Sequence, residues 1–285
     1  MKEKYLRKIE ALAFTKEDEH LPKRLLIKEY SDDTFKTYYA PFDYINRKAK
    51  VVICGITPGL QQALCALIEA REQLAFGNSM DHVLFSAKQK ASFCGDMRSN
   101  LVKILDNADL PRCLGIRTTD DLFGPKIQLA HFMSVLRYPV FLGTKNYSGS
   151  PSMLRRRKNV LLEHLHETFF ADLESLPKAS IYIPLGPKVA GAFRYAEEKG
   201  IAKDRKIIYE MPHASPENRE EIKLAKMKSY PGQDDYVSEM LHKYKQKKKA
   251  VGESLTQEQI RKYKESRKNT WSKIKNFKNA FKNCI

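Results

Sequence analysis

The chain has 285 residues, 42% of them apolar, and carries a formal charge of +17. That length allows one large α/β domain or two small ones, and the apolar share is enough for a real core. The excess of positive charge points to a polyanion as partner, and no stretch resembles a signal peptide or reaches the roughly 20 apolar residues of a membrane span. A soluble, cytoplasmic monomer is expected, nucleoid-associated if bacterial, with no membrane contact. The five cysteines are odd in number and widely spaced, without a C-x-x-C pair. Neither a disulfide framework nor a metal site is therefore expected.

Residues 1–30 read as charged and helical, with Leu6, Ile9, Leu12 and Ala13 on one face. Lys50–Cys54 is β-branched and apolar, the pattern of a strand covered on both faces. The turn Gly55-Ile56-Thr57-Pro58-Gly59 follows, then a helix over Gln61–Leu74, a less regular stretch over Phe76–Gly95, and a helix over Asp96–Leu105. Tyr138–Leu142 reads as a second strand, Val160–Leu173 as a helix and Ser180–Leu185 as a third strand. Gly186-Pro187-Lys188 opens the helix Val189–Lys199, with proline well placed in its first turn. Lys206–Tyr209 is the fourth strand, and Pro212-His213-Ala214-Ser215-Pro216-Glu217-Asn218 is a second Pro-containing turn. Strands alternating with helices predict an α/β fold, three-layered αβα, with a central, mostly parallel four-stranded sheet. Turns at strand ends are where such sheets place ligands.

The expected organisation is an N-terminal helical segment over 1–49, a core over 50–228 and a basic helical extension over 229–285. Residues 241–285 hold fourteen Lys or Arg against three Glu, a net of +11 out of the chain's +17. Ser254-Leu255-Thr256-Gln257 resembles a capping box, and Ile260, Tyr263, Trp271, Ile274, Phe277 and Phe281 fall near helical spacing. These aromatics read as docking residues of a helix rather than as base-stacking groups.

The strand, G-x-T-P-G turn, and later strand with an H-x-S-P turn resemble the signature arrangement of the uracil-DNA glycosylase superfamily. The resemblance covers about residues 50–220 and implies that superfamily's fold. It implies a monofunctional DNA glycosylase acting on double- or single-stranded DNA. Such an enzyme flips out a uracil or a modified or damaged base and hydrolyses its N-glycosidic bond to leave an abasic site. The setting would be base-excision repair or defence against modified phage DNA, and no cofactor or metal is implied. No lysine stands at either turn to form a Schiff base, so lyase activity is not expected.

The resemblance also assigns roles. Thr57 would position the attacking water, with Gly55, Ile56 and Pro58 shaping the turn against the substrate. Thr57 stands where most members carry Asp or Asn, and a threonine cannot be a base near neutral pH. Asp96 is therefore the first substitute carboxylate, ahead of Glu217. His213 would donate to the oxyanion developing on the departing base, with Ser215 beside it in the substrate site. Phe93 would stack on the flipped base, and Asn146 would read its edge. Gly186 and Lys188 would grip a DNA phosphate, and Asn218 and Arg219 are read as joining them. Independently of the resemblance, the run Arg155-Arg156-Arg157 sets like charges at a helix start against the macrodipole, which points to phosphate contact. Other readings stay open. Gly55–Gly59 fits an ordinary βα turn, Phe93 a core position, Asn146 a turn-shaping role and Arg155–Arg157 a solvated helix start. The alternative to an enzyme is a non-catalytic DNA- or RNA-binding, base-sensing protein on the same fold.

Overall fold

The computed structural model describes residues 2–30, 35–149, 160–178, 180–214, 219–227 and 231–282. Among the described residues of the N-terminal segment, one α-helix forms, α1 (Lys2–Glu10), which buries Tyr5, Leu6 and Ile9. The helical reading of this segment is corrected beyond that point. The chain leaves the helix after Glu10, makes a 3₁₀ turn over Lys23–Leu25 behind Pro22, and forms β1 (Leu26–Glu29) and β2 (Phe35–Tyr38), paired antiparallel.

The first core strand, β3 (Val51–Gly55), is buried at every residue. Its side chains alternate, Val51 and Ile53 entering one apolar cluster and Val52 and Cys54 another, so both faces of its sheet are covered. After the Gly55–Gly59 turn comes α2 (Leu60–Ala75), which buries Ala63, Leu64, Ala66, Leu67 and Ala70. Most of the stretch expected to be irregular is α3 (Met80–Ala91), started by Ser79, whose hydroxyl accepts from the His82 N–H at 3.4 Å. Then follow α4 (Asp96–Asp106) and α5 (Leu110–Leu114).

The second strand of the central sheet is β4 (Ala130–Ser134), parallel to β3 from Val51 opposite Ala130 to Gly55 opposite Ser134. The expected strand at 138–142 is instead β5 (Val140–Leu142), which pairs antiparallel with β2 and with β6 (Lys145–Asn146). The chain continues through α6 (Val160–His164), a π-helical turn (Leu165–Phe170) and α7 (Ala171–Ser175) to β7 (Ile181–Pro184). From there α8 (Pro187–Glu198) leads to the short β8 (Lys206–Ile207). The central sheet has four strands in the order β4-β3-β7-β8, all parallel, and a second four-stranded sheet has the order β1-β2-β5-β6. A parallel sheet covered on both faces is the expected α/β arrangement and is compatible with three layers. The antiparallel sheet was not expected.

Beyond α9 (Arg219–Ala225), the basic extension is a helical hairpin of α10 (Gln233–Ala250) and α11 (Gln257–Asn279). Its capping box lies two residues beyond Ser254. The Thr256 hydroxyl accepts from the Gln259 N–H at 3.2 Å, and the Gln259 carboxamide accepts from the Thr256 N–H at 2.8 Å. Ile274, Phe277 and Phe281 are buried in the cluster that holds Val51 and Ile53, and the Trp271 indole donates to Pro231 O at 2.9 Å. From 241 to 269 no residue is buried, so the distal half of the hairpin carries its lysines clear of the core. Among the described residues, no helix is long and apolar enough to cross a membrane.

Phe277→Ala should lower the free energy of unfolding by about 3–5 kcal/mol in urea titrations. A loss below about 1 kcal/mol would mean that the hairpin lies outside the cooperative core.

Candidate active site

In the order β4-β3-β7-β8, the connection from β3 runs to one side and the connection from β4 crosses to the other. The loops leaving β3 and β7 therefore diverge and open a crevice at the carboxyl ends of the strands. A cleft of about 1200 Å³ lies there. Its walls include Gly55, Ile56, Thr57, Phe93, Asp96, Asn146, Gly186, Lys188 and His213, residues drawn from the whole length of the core. The first residues of α2, α4 and α8 also line it, so three helix N-termini face the space. Together with Lys16, Lys90, Arg98 and Lys188 they favour an anionic ligand, against the carboxylates of Glu69, Glu72 and Asp96.

The two Pro-containing turns are joined through the turn after β7. Gly186 has φ +82°, and a Cβ there would lie 3.2 Å from His213 Cβ, so this position needs glycine for both conformation and space. The Gly186 N–H donates to Met211 O at 3.1 Å. His213 is thus hung directly against the start of α8.

Thr57 does not offer its hydroxyl hydrogen to the cleft. That group donates to Tyr138 O at 3.0 Å and accepts from the Val140 N–H at 3.2 Å, fastening the first turn to β5. Asn146 is likewise engaged: its Oδ1 accepts from the Leu60 N–H at 2.9 Å, capping the start of α2. Asp96 lies exposed in the first turn of α4, and its carboxylate has no partner among the described residues. Lys188 donates to Ser148 O at 2.8 Å.

Phe93 is both wall and core. It is buried, meets Phe132 edge to face at 5.8 Å, and still lines the cleft. Its φ of +52° is unusual for a bulky side chain and marks strain held in place by its surroundings. Arg98 supplies much of that hold, donating to Ser92 O at 2.7 Å and Lys90 O at 2.8 Å with its guanidinium over the Phe123 ring. Burial lowers its pKa from the ordinary guanidinium value.

Pro58 is buried beneath the turn rather than on the cleft wall, and Arg219 is exposed at the start of α9, away from it. Ser215, Glu217, Asn218 and the run Arg155–Arg157 lie outside the described residues. Sequence reading missed Gln62 and Ser134 on the wall and the charged group behind it, Lys88, Arg137 and Asp172. Lys88 had a readable signal, because it falls on the same stripe of α3 as the buried Leu84 and Ala91.

Among the described residues no group of three or more His, Cys, Asp or Glu could hold a metal ion. Cys65 and Cys94 face each other across the cleft wall with sulfurs 3.3 Å apart. Burial, with Cys65 adding to it, pushes the Cys94 thiol up to about 12.

Lys88 is buried, donating to Phe42 O at 3.0 Å and Tyr44 O at 2.5 Å. Burial lowers its pKa to about 8, opposed by Asp172 and Asp43 and aided by Arg137. Between about 8 and 10.5, the unfolded chain binds more protons here than the folded one. The stability of the wild type relative to Lys88→Met should therefore rise with pH across that window, by at most about 1.4 kcal/mol per unit. Paired denaturation curves from pH 7 to 10.5 check this, and a flat difference would mean that Lys88 titrates as it does in water.

Over 182 residues, 61% of this chain and 71% of the relative, the sequence is 34% identical to the uncharacterized protein YoxB of Bacillus subtilis (strain 168). No family model matches the chain. No solved structure matches it.

Proposed function

We propose that this chain, which belongs to the family of the Bacillus subtilis protein YoxB, is a monofunctional DNA glycosylase with a uracil-DNA glycosylase-like fold. The observation that carries the reading is the convergence of three distant segments. The turn after β3, the strained turn bearing Phe93, and the turn bearing His213 line one cleft under three helix N-termini. The sequence resemblance named these same segments.

N-glycosidic cleavage builds negative charge on the departing base and positive charge on the sugar, after the nucleotide has left the stack. In this reading the base lies against Phe93, and His213 donates to its developing oxyanion. The Thr57 hydrogen is already given to Tyr138 O, so the carboxylate that orients and activates water is Asp96. The start of α8 and Lys188 receive a backbone phosphate. Arg155–Arg157, Asn218 and Arg219 are assigned to DNA phosphates, and Ser215 to the substrate site, from the sequence alone. The product is an abasic site, formed by a cytoplasmic monomer without a cofactor, in base-excision repair or in defence against modified phage DNA.

The commitment of Thr57 to backbone partners favours a second reading, a non-catalytic base-sensing protein that binds DNA or RNA. An abasic-site assay over oligonucleotides with deaminated and modified bases, and over modified phage DNA, separates the two. The enzyme reading expects alkali-labile sites on at least one substrate and fails if none forms. On a cleaved substrate, His213→Ala should slow the reaction by about 10²–10³, and an unchanged rate would remove His213 from the mechanism.

The hairpin supplies the non-specific affinity in this reading. Removing it whole would strip Phe277 and Phe281 from the core, so the informative change is at its surface. Replacing the exposed Lys245, Lys249, Lys264 and Lys268 by Gln should reduce the slope of log K against log salt by up to about 3–4 on duplex DNA. An identical slope would show that this face does not touch phosphates.

A further inference from the structure

The cleft has a floor that the assignments above leave unused. Behind Phe93 lies a recess of about 20 Å³, walled by Gln62, Ser134, Lys88, Arg137 and Asp172. Gln62 and Ser134 line both the recess and the cleft, so they stand at the passage between the two. The recess holds about one water-sized atom, an exocyclic oxygen rather than a ring.

The positions of these two residues follow from the fold. Gln62 is the third residue of α2, next to the buried stripe that begins at Ala63. Ser134 ends β4, in register with Gly55, its hydroxyl 3.9 Å from where a Cβ on Gly55 would lie. The Phe93 ring approaches the same Gly55 position to 3.4 Å. One flat face and two hydrogen-bonding side chains therefore meet at the carboxyl end of β3. Among the described residues, neither the Gln62 carboxamide nor the Ser134 hydroxyl has a hydrogen-bond partner. Asn146 is different, because its carboxamide oxygen already accepts from the Leu60 N–H.

We propose that Gln62 and Ser134, and not Asn146, read the edge of the extruded base, with the recess behind them receiving an exocyclic oxygen. The inference rests on reading the cleft as a base-binding site. A carboxamide offers a donor beside an acceptor, which fits a ring N–H next to an oxo group. Lys88 has three N–H groups and gives two of them to carbonyls, leaving one donor at the recess wall. An exocyclic amine placed there would set its own hydrogens against the ammonium. Asn146 keeps the structural task of capping α2.

Binding of free nucleobases to the full chain, measured by ligand-observed NMR, tests this without requiring catalysis. Uracil and hypoxanthine carry the oxo edge, and cytosine and adenine are their amino counterparts. The wild type should prefer each oxo base to its counterpart. Gln62→Leu should weaken oxo-base binding about tenfold, with a smaller loss for Ser134→Ala, and Asn146→Ala should change it less than about threefold. Gln62→Glu keeps the size but removes the donor, and should lose binding as Gln62→Leu does with an unchanged thermal midpoint. The proposal is overturned if the wild type binds none of the four bases or shows no preference. It is also overturned if both Gln62 variants bind as the wild type does, or if Asn146→Ala carries the loss. Base binding that depends on Gln62, with no abasic sites formed on any DNA, would sink the glycosylase and leave the reader standing. Abasic-site formation unaffected by both Gln62 variants would do the reverse.

Discussion

A buried set of charges behind the cleft holds the two sheets in one arrangement. Arg137 forms two hydrogen bonds to the Asp172 carboxylate, one of them at 3.3 Å, and lies 3.8 Å from Asp43. Asp43 in turn accepts from Tyr39 at 2.9 Å and from Tyr138 at 2.6 Å. Burial, with Asp43 adding to it, raises both phenols well above the ordinary tyrosine range. The partners come from the approach to β3, the exit of β4 and the last helical turn before β7, with Lys88 of α3 alongside. Burying charges costs more than their attraction returns unless each is paired and hydrogen-bonded, so every partner is constrained by the others. Removing one would leave a naked charge in the protein interior. The set fixes where β4 ends and thus where Ser134 meets the cleft.

A second set of contacts explains how Phe93 keeps a left-handed backbone. Its turn has little freedom, with Arg98 drawing in the carbonyls on one side and the Phe132 ring packed on the other. Phe132 also stacks on Phe123 at 4.6 Å, so the strained residue leans on a chain of rings rather than on one contact. A wall built this way presents its face without a loop having to close over the ligand.

Much of the central architecture was legible because its signals are local. Val51–Cys54 is a continuous apolar run, and Gly186-Pro187 announces a helix start. β4 was illegible because His131 interrupts it. That ring is accommodated by accepting from the Asn46 N–H at 3.3 Å, and burial lowers its pKa well below the usual value, which favours the uncharged form. The antiparallel sheet was hidden for another reason: β2 finds its partner β5 far along the chain, where pairing overrides local preference. At the site, the chain order of turns indicated which segments converge. It did not indicate that Thr57 and Asn146 would spend their polar atoms on the backbone, since those bonds exist only once β5 and β6 have reached the start of α2.

The docking of the basic hairpin has a consequence for how the molecule is made. Phe277 and Phe281 complete the cluster that holds Val51, Ile53 and Phe93 and that α4, α5 and α9 line from earlier in the chain, so this cluster stays unfinished until α11 has left the ribosome. Until then the apolar side chains that meet Phe277 and Phe281 would stand open to water. Final packing of that cluster must then wait for α11, and a nascent chain stalled before it would be a substrate for chaperones.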